Sequence, residues 1–577
     1  MRTYVRTTDR LSSVAAVNAP SPDSLLLRKA RGAFFTPPTI AQFLTDWAIA
    51  DDPAARVLDP TCGDGVFLLA AGERLRALGA EPGAIRAQLA GADVHAPSLD
   101  RARANLSEDR LDATLHHSDF FNLTTPAQIG GDVGWQDAVV GNPPFVRYQE
   151  FGVEQRKRAA AASLAQGVRM TGLASSWAPL LVHAAGFLKP EGRLAMVVPA
   201  ELLTVSYAEP IRRWLRSRFR AVSLVMFESL QFDHAEEQVV LLVARGTGGC
   251  DAFTLFHVHD ADDLSRLHIF DASSAALNDG GKWTDLMLAN ATRQLFRRVS
   301  TAKFTRLDTF GTPELGAVTG ANGFFALSEA TRLKYGLDVK LLKRISPPGT
   351  KHLKGLSFTR VQWEELKLTG QRVWLLHPEP KSTSPGLKRY VKHGEKLGVP
   401  EAYKCTIRTP WWRPPAVSAP DLFFTYMSHR YPRLITNAAG ATFLNSMHGV
   451  RLRADCPPEA KQALPLLALN SMTMLGAEVL GRSYGGGILK MEPTEAASLP
   501  VPAPDALTAA WVQLRERRSS LDAALRRGEW VDVVREVDRV LLTDVMKLDA
   551  EEVATLRDAA SLLRIRRTRQ TEADASG

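Results

Sequence analysis

The chain has 577 residues, of which 45% are hydrophobic and 23% charged, so it has the composition of a globular protein and is too long for one ordinary domain. It contains no apolar run of about 18 residues that would predict a transmembrane helix, and its first residues lack the apolar segment of a secretory signal. The four cysteines are Cys62, Cys250, Cys405 and Cys456. Their wide separation argues against a metal cluster or a disulfide framework and fits a reduced cytoplasm, so together with the absent transmembrane run it predicts a cytoplasmic protein without metal or membrane contact.

The net charge of +9 is concentrated in one part of the chain. Residues 1–300 carry 31 lysines and arginines against 33 acids, and residues 501–577 carry 13 against 14. Residues 301–500 carry 27 against 15, an excess of 12 positive charges. This excess predicts a domain that binds a polyanion, with an ordinary basic surface as the alternative.

A polar arm, predicted to be flexible, occupies residues 1–27. Short apolar runs then alternate with amphipathic stretches to about residue 246. The runs predict strands at 56–59, 89–94, 114–117, 137–141, 193–199, 222–227 and 238–244, and the stretches predict helices at 66–78, 97–106, 175–188 and 208–219. This order predicts an α/β, Rossmann-like domain over residues 28–246 with a seven-stranded, mostly parallel sheet. Because no long helix separates the last two strands, we expect one antiparallel strand at an edge.

The remainder of the chain has a different pattern. Residues 247–310 predict a connecting region, and residues 311–503, rich in Gly and Pro with aromatics among basic residues, predict a separate α+β domain. Apolar residues at helical spacing predict a helical region at 504–565, and residues 566–577 have the composition of a disordered tail.

The junction of the first strand and first helix reads Val-Leu-Asp-Pro-Thr-Cys-Gly-Asp-Gly over residues 57–65. Gly63 and Gly65 allow a tight turn and a close approach of the backbone to a ligand. Asp59 at the strand end can face a cationic amino group. A dinucleotide enzyme would more often show GxGxxG for a pyrophosphate, so this loop favours a ligand with an amino-acid end, with a generic turn as the alternative.

Two more acids follow predicted strands. Asp93 can accept hydrogen bonds from ribose hydroxyls, and Asp119, followed by Phe120, can accept from an adenine amino group. Either could be an ordinary surface acid, but their order along a parallel sheet favours a shared site.

The most specific motif is Asn142-Pro143-Pro144-Phe145, directly after the fourth predicted strand. The Asn142 side-chain oxygen and the Pro143 carbonyl can both accept from one NH₂ group, which draws its nitrogen toward tetrahedral geometry and frees its lone pair. Phe145 offers a flat face on which a base can stack. The alternative is a proline-rich surface turn.

Two weaker features complete the pattern. Thr36 stands before two prolines that suit the start of a helix, and Phe232 precedes the last predicted strand. Phe232 could form a second wall for an extruded base or be an ordinary core residue.

Together these motifs resemble the gamma class of amino-methylating DNA methyltransferases, the adenine-N6 enzymes of restriction–modification systems. In that family a TPP motif precedes DPxCGxG, the acidic strand ends, NPP(Y/F) and a C-terminal target-recognition domain. The resemblance covers residues 28–245 and continues more loosely through 317–325, 469–471 and 499–502. It implies a class I methyltransferase domain, S-adenosylmethionine as cofactor and double-stranded DNA as partner.

The resemblance also implies residue roles. The methionine part of the cofactor would be held by Thr36 and the loop with Asp59, Pro60, Cys62, Gly63 and Gly65, the ribose by Asp93, and the adenine by Asp119 and Phe120. The target base would be held by Asn142, Pro143, Pro144 and Phe145, with Phe232 on its far side. Candidate DNA contacts in the basic domain are Lys351, Lys354, Lys404, Arg408 and Arg413. Two departures are Phe145, where Tyr is commoner, and Asp59, where some members have Glu.

Several alternatives stay open. A cytosine-N4 methyltransferase would use the same geometry but more often has Ser in place of Asn142, and enzymes acting on RNA or on a protein glutamine are usually shorter. A DNA-binding protein on a degenerate scaffold is disfavoured by the intact motifs. About 30 residues before the TPP motif are too few for a nuclease domain, so a separate endonuclease acting on the same site, without obligatory contact, is the expected restriction partner.

Overall fold

The computed structural model describes residues 36–128, 131–146, 152–170, 174–227, 239–267, 274–276, 283–484 and 487–575. The chain divides into two compact units, Met1–Met287 and Leu288–Gly577. Their boundary lies inside the range 247–310 that the sequence marks as a connection. Among the described residues no single helix has the length and apolarity to cross a membrane, although the bent pair Ala460–Leu467 and Ser471–Leu480 meets the same criteria when taken together.

The first unit alternates strands and helices. Its strands are β1 (Val57–Asp59), β2 (Leu89–Asp93), β3 (Thr114–His117), β4 (Gln136–Gly141), β5 (Leu188–Pro199), β6 (Phe219–Phe227), β7 (Val239–Thr247), β8 (Ala252–Val258) and β9 (Ser274–Ala276). Its helices are α1 (Pro38–Ile49), α2 (Val66–Ala77), α3 (Pro82–Gln88), α4 (Ala96–Glu108), α5 (Val153–Ala165), α6 (Trp177–Ala185), α7 (Glu201–Thr204) and α8 (Glu209–Arg218).

These strands form one sheet in the order β3-β2-β1-β4-β5-β7-β6-β8-β9. Strands β7 and β9 run antiparallel to their neighbours and the others are parallel, which confirms the Rossmann-like class. Two details of the prediction are wrong: the described sheet has nine strands, not seven, and the antiparallel β7 lies between β5 and β6 instead of at an edge. The continuously buried run from Val239 to Ala244 explains the position of β7, because an interior strand is covered on both faces.

The strand order places a crevice at the carboxyl ends of β1 and β4. Strands β1, β2 and β3 follow one another in one direction, whereas β4 lies on the other side of β1. Ligands of open α/β sheets bind outside such a reversal point. Asp59 ends β1, Asp93 ends β2 and Gly141 ends β4, so the predicted motifs meet at this edge.

Alternating side chains of the central strands supply two separate cores. Leu58 and Val139 join the cluster that includes α6 and α8, whereas Val57, Ala138 and Val140 join the cluster that includes α1 and α2. A strand presents successive residues to opposite faces, so both faces of the sheet are covered by helices. This packing fixes the strand ends that carry the motifs.

The second unit is α+β. Its strands are β10 (Phe304–Arg306), β11 (Gly311–Leu315), β12 (Ala326–Leu327), β13 (Leu342–Arg344), β14 (Ser357–Phe358), β15 (Trp374–Leu376), β16 (Leu422–Phe424), β17 (Met427–Ser428), β18 (Leu434–Asn437), β19 (His448–Leu452), β20 (Arg482–Tyr484), β21 (Ile488–Lys490) and β22 (Pro500–Pro502). Its helices are α9 (Asn290–Lys303), α10 (Asn322–Phe325), α11 (Glu329–Tyr335), α12 (Arg360–Leu368), α13 (Pro385–Lys396), α14 (Tyr403–Thr406), α15 (Ala460–Leu467), α16 (Ser471–Leu480), α17 (Pro493–Ala497), α18 (Pro504–Leu514), α19 (Arg518–Arg527), α20 (Trp530–Asp538) and α21 (Ala550–Ala575).

Short, mostly antiparallel sheets organise this unit, in which the pair β14–β18 is parallel. The largest has five strands in the order β11-β19-β16-β18-β14, and a three-stranded sheet β12-β15-β13 packs into the same aromatic-rich core. The last helix, α21, extends to Ala575, so it runs through most of the range 566–577 that composition marks as disordered. Arg567 on α21 is buried and forms an ion pair with the buried Glu478 of α16 at 2.8 Å. Because removal of either partner would leave a buried, unpaired charge, this contact favours the docked position of α21, which the local composition does not predict.

Candidate active site

The glycine loop between β1 and α2 has the geometry that its sequence predicts. Gly63 and Gly65 both have positive φ, +50° and +88°, which only glycine adopts readily. A Cβ on Gly65 would lie 3.1 Å from Cβ of Ala102, whereas a Cβ on Gly63 would meet no atom within 4 Å. The loop is therefore packed against α4 at Gly65 and leaves open space at Gly63.

Asp59 is a buried acid at the end of β1. One carboxylate oxygen accepts from the backbone N–H of Thr61 at 3.0 Å, and the other is buried without a hydrogen-bond partner among the described residues. Burial, partly offset by the Thr61 bond and reinforced by the nearby Asp93 carboxylate, raises the pKa of Asp59 to about 8. A positively charged ligand group beside Asp59 would stabilise the ionised form of this carboxyl.

Asp93 and Asp119 occupy the ends of β2 and β3. The Asp93 carboxylate accepts from the backbone N–H groups of Gly63 at 3.0 Å and His95 at 2.8 Å, which ties the glycine loop to β2. Asp119 accepts from the N–H of Phe121 and from the Arg158 guanidinium, both at 3.1 Å. Each carboxylate oxygen can accept more than one bond, so these contacts leave capacity for ligand hydroxyl or amino groups.

The Asn-Pro-Pro-Phe loop follows β4 at the same edge. The side-chain amide nitrogen of Asn142 donates to Oγ1 of Thr36 at 3.2 Å. The Thr61 hydroxyl donates to the backbone carbonyl of Asn142 at 3.4 Å. At Gly141, which precedes the loop, an added Cβ would lie 2.7 Å from Oδ1 of Asp59. The TPP motif, the glycine loop and the Asn-Pro-Pro-Phe loop are thus brought together by direct contacts that span 106 residues from Thr36 to Asn142 and 81 residues from Thr61 to Asn142.

Ser176 supports this loop from the start of α6. Its hydroxyl donates to the carbonyl of Pro144 and accepts from the N–H of Val146 at 2.9 Å, and its own N–H donates to the carbonyl of Val146 at 3.0 Å. These bonds clamp the backbone on both sides of Phe145. No hydrogen bond to the Pro143 carbonyl is found in the described part of the chain, which leaves that acceptor for a ligand.

The sequence did not reveal Ser176 as a site residue. A serine just before a helix suggests a helix cap, and its actual partner is a loop 30 residues earlier. Arg158 was missed for the same reason, because its contact with Asp119 spans 39 residues.

Two predicted cofactor residues are placed differently from the expectation. The Phe120 ring is 3% exposed and packs against His183 and Phe187 with ring centroids 5.0 and 5.2 Å away. Cys62 is also 3% exposed, and its side chain belongs to the core beside Gly91. Both side chains pack inward beneath the loops, and the cofactor roles of the two residues stay predictions. Pro60 and Pro143 are likewise buried, Phe145 is half-buried between the two cores, and Phe232 lies outside the described residues.

Only some of the predicted DNA contacts are exposed cations. Lys351, Lys354 and Lys404 are exposed. Arg408 instead donates to the Val318 carbonyl at 2.7 Å, and Arg413 donates to the Pro378 carbonyl at 2.8 Å. Each of these two arginines donates to a backbone carbonyl of its own unit and is half-buried, and direct DNA contact stays a prediction for all five residues.

Family models match both units. A model described as N-6 DNA Methylase matches residues 26–245, and one described as the C-terminal domain of Type II methyltransferase M.Eco57I matches residues 280–542. The chain is a DNA methyltransferase. The first match contains the whole crevice, and adenine N6 is the specificity of that family as a whole.

The methyltransferase is similar to curated proteins along most of its length. Type II methyltransferase M.XamI of Xanthomonas campestris pv. amaranthicola is 26% identical, covering 82% of this chain and 85% of the relative. Type II methyltransferase M.AccI of Acinetobacter calcoaceticus is 23% identical, with the same two coverages of 82% and 85%. The solved structure of the Type IIL restriction–modification enzyme MmeI in complex with DNA covers 98% of this chain and 78% of its own, with a TM-score of 0.53 and 12% identity, which shows a shared fold.

Proposed function

We propose that this methyltransferase is a gamma-class enzyme that methylates adenine N6 at a specific DNA sequence, as the modification component of a restriction–modification system. The observation that carries the proposal is the position of Asn142 at the carboxyl end of β4, hydrogen-bonded to Thr36 and beside the glycine loop. The family match and the Type II names of the relatives support it. A separate endonuclease would act on the same site.

The crevice fits S-adenosylmethionine by its own chemistry. The buried, unpartnered oxygen of Asp59 suits an ammonium group, and the open space at Gly63 suits a ligand lying against the backbone. In this proposal Asp59, Gly63 and Thr36 hold the methionine part, Asp93 holds the ribose and Asp119 the adenine. When bound, the cofactor supplies an electrophilic methyl group at the crevice.

The Asn-Pro-Pro-Phe loop then prepares the target amine. The Asn142 carboxamide oxygen and the Pro143 carbonyl accept the two N–H groups of the adenine amine, which directs its lone pair toward the methyl donor. Phe145 stacks on the extruded base and offsets part of the cost of flipping, at about 1–3 kcal/mol per stacked base. The amine becomes acidic as the new C–N bond forms, so its proton leaves without a strong base.

The second unit would hold the duplex. Residues 301–500, which contain most of its strands, carry the excess of positive charge. Phosphate neutralisation by such a surface gives affinity that falls with salt. We therefore propose that this unit binds and reads double-stranded DNA while the first unit performs the chemistry.

The experiment is transfer of tritiated methyl groups to DNA, followed by nucleoside analysis. We expect N6-methyladenine as the product. N4-methylcytosine as the product would contradict the adenine assignment and favour a cytosine enzyme, because the Asn142 and Pro143 oxygens can also accept from a cytosine amine. Transfer to RNA or protein but not to DNA would contradict the proposal as a whole.

A further inference from the structure

Helix α13 (Pro385–Lys396) in the second unit is fixed by one closely packed face. Gly386, Tyr390 and Gly394 recur every four residues and are buried. A Cβ on Gly394 would lie 2.6 Å from ring atoms of Phe324 and Trp411, and one on Gly386 would lie 2.2 Å from the Gly336 carbonyl oxygen. The helix therefore sits directly on an aromatic platform, and its orientation is determined.

The opposite face of α13 carries a row of lysines. Lys388, Lys392 and Lys396 each follow a buried residue by two positions, which is about 200° around the helix axis. All three are exposed, and at 1.5 Å per residue successive lysines are about 6 Å apart along the helix. We refer to these three residues as the lysine row.

The lysine row has no acidic partners among the described residues. Elsewhere in this unit cations are commonly neutralised, as in the ion pairs Arg332–Glu329, Lys367–Glu364 and Lys461–Asp421. One acid, Glu395, lies at the margin of the row, about 20° from Lys388 around the axis. The row therefore keeps a net positive charge on a rigid support.

We propose that the lysine row is a contact surface for the phosphate backbone of double-stranded DNA, an inference that rests on the proposed function. Lysine ammonium groups act as point charges and suit phosphates more than base edges. The even spacing along one helix face fits a linear polyanion, and because the helix backbone is already fixed by its packing, binding costs little backbone conformational entropy. The row would position the duplex without reading its sequence.

The test compares charge-matched variants of the full chain by DNA binding at several salt concentrations. Each phosphate contact contributes about −0.9 to the slope of log K against log salt concentration. Lys388→Gln, Lys392→Gln and Lys396→Gln combined should lower affinity at low salt and make the slope shallower by about 2–3. The effect should be equal on cognate and unrelated duplexes.

The control removes the same charge from exposed cations on other elements, Lys303, Arg515 and Lys547, each replaced by Gln. It should change the slope by less than about 1. A second variant acts in the opposite direction: Glu395→Gln removes the acid beside the row and should strengthen binding, which a folding defect could not imitate. Unchanged thermal unfolding of every variant is expected, because the substituted side chains are exposed.

Three outcomes would overturn the inference. They are an unchanged slope in the triple lysine variant, an equal change in the control variant, and weaker binding after Glu395→Gln. If the unmodified chain methylates adenine and any of these occurs, only the lysine row is refuted. If the unmodified chain binds no duplex and methylates none, the proposed function itself fails.

Discussion

Asp59 shows how one buried carboxyl can couple ligand binding to pH. Its pKa is raised to about 8, mainly by burial, so the carboxyl is largely protonated at pH 7 in the ligand-free protein. An ammonium group placed beside it would favour the ionised form and lower that pKa. Binding of an ammonium group near pH 6–7.5, where both the carboxyl and the ligand amine are largely protonated, should then release a proton, and affinity should rise with pH over about that range.

Calorimetry of S-adenosylmethionine binding between pH 6.0 and 7.5, in buffers of different ionisation enthalpy, measures this proton release directly. We expect release in the unmodified chain, and none after Asp59→Asn. The analogue 5′-methylthioadenosine, which lacks the amino-acid end, serves as a matched control and should bind without it. Binding of S-adenosylmethionine with no proton release at any pH would show that Asp59 is not the ammonium partner.

Ser176 is a second residue with a specific expectation. Its hydroxyl makes two of the three hydrogen bonds that hold the backbone around Phe145, so Ser176→Ala, which removes those two, should leave cofactor affinity intact and slow methyl transfer. A displacement of about 1 Å at a reacting group can cost on the order of 100-fold, and we expect a loss of about 10–100-fold in the single-turnover rate.

Two variants separate this positioning role from a general loss of stability. Ser176→Thr keeps the hydroxyl and should retain most of the rate. Ser163→Ala removes a buried serine hydroxyl that bonds only within its own helix, and it should leave the rate unchanged. A wild-type rate for Ser176→Ala would contradict the role.

At the scale of elements, the contrast between glycines of the second unit tests the packing of α13. Gly394→Ala would push a methyl group into Phe324 and Trp411, and overpacking of this kind costs about 1–3 kcal/mol. Gly323, also helical, has its nearest atom 4.0 Å from an added Cβ, so Gly323→Ala should be neutral or stabilise by up to about 1 kcal/mol. Denaturant unfolding measures both. Equal effects of the two substitutions would contradict the close contact.

Seven of the nine described strands of the first unit were predicted, with ends that differ from the structure by at most five residues, because the signal is local. Strand β3 matches its prediction, and β1, β2 and β4 differ by one residue at an end. Strand β8 was missed because its run follows a glycine-rich turn and has no helix before it. Strand β7 is interior because it pairs with both β5 and β6. The sequence of a single segment does not show which strands will pair with it.

Site residues could be predicted where they belong to a sequence motif, but not where their position depends on the packing of distant segments. Asp59, Asp93 and Asn142 lie at strand ends, so parallel topology alone brings them to one edge. The inward packing of Phe120 and the carbonyl bonds of Arg408 and Arg413 were not predicted, because the sequence does not show which neighbours in its own unit a side chain contacts. The role of Ser176 depends on a contact with a distant loop, and the lysine row depends on which face of α13 is exposed. Both can be recognised only in the folded structure.

At the scale of the whole molecule, charge and chemistry are divided between the two units. The acids and the Asn-Pro-Pro-Phe loop are in the first unit, and the excess of positive charge falls within residues 301–500 of the second. Each unit matches a different family model. The DNA methyltransferase therefore carries its predicted site of methyl transfer in one unit and its excess of positive charge in the other.

The most direct measurement is single-turnover transfer of a labelled methyl group to duplex DNA by the unmodified chain and by Asn142→Ala. The unmodified chain should produce N6-methyladenine. The variant should bind DNA and S-adenosylmethionine with little change but lose methyl transfer, because it cannot accept a proton of the target amine. An Asn142→Ala variant that methylates adenine at the unmodified rate would contradict the assignment of this loop as the site of transfer.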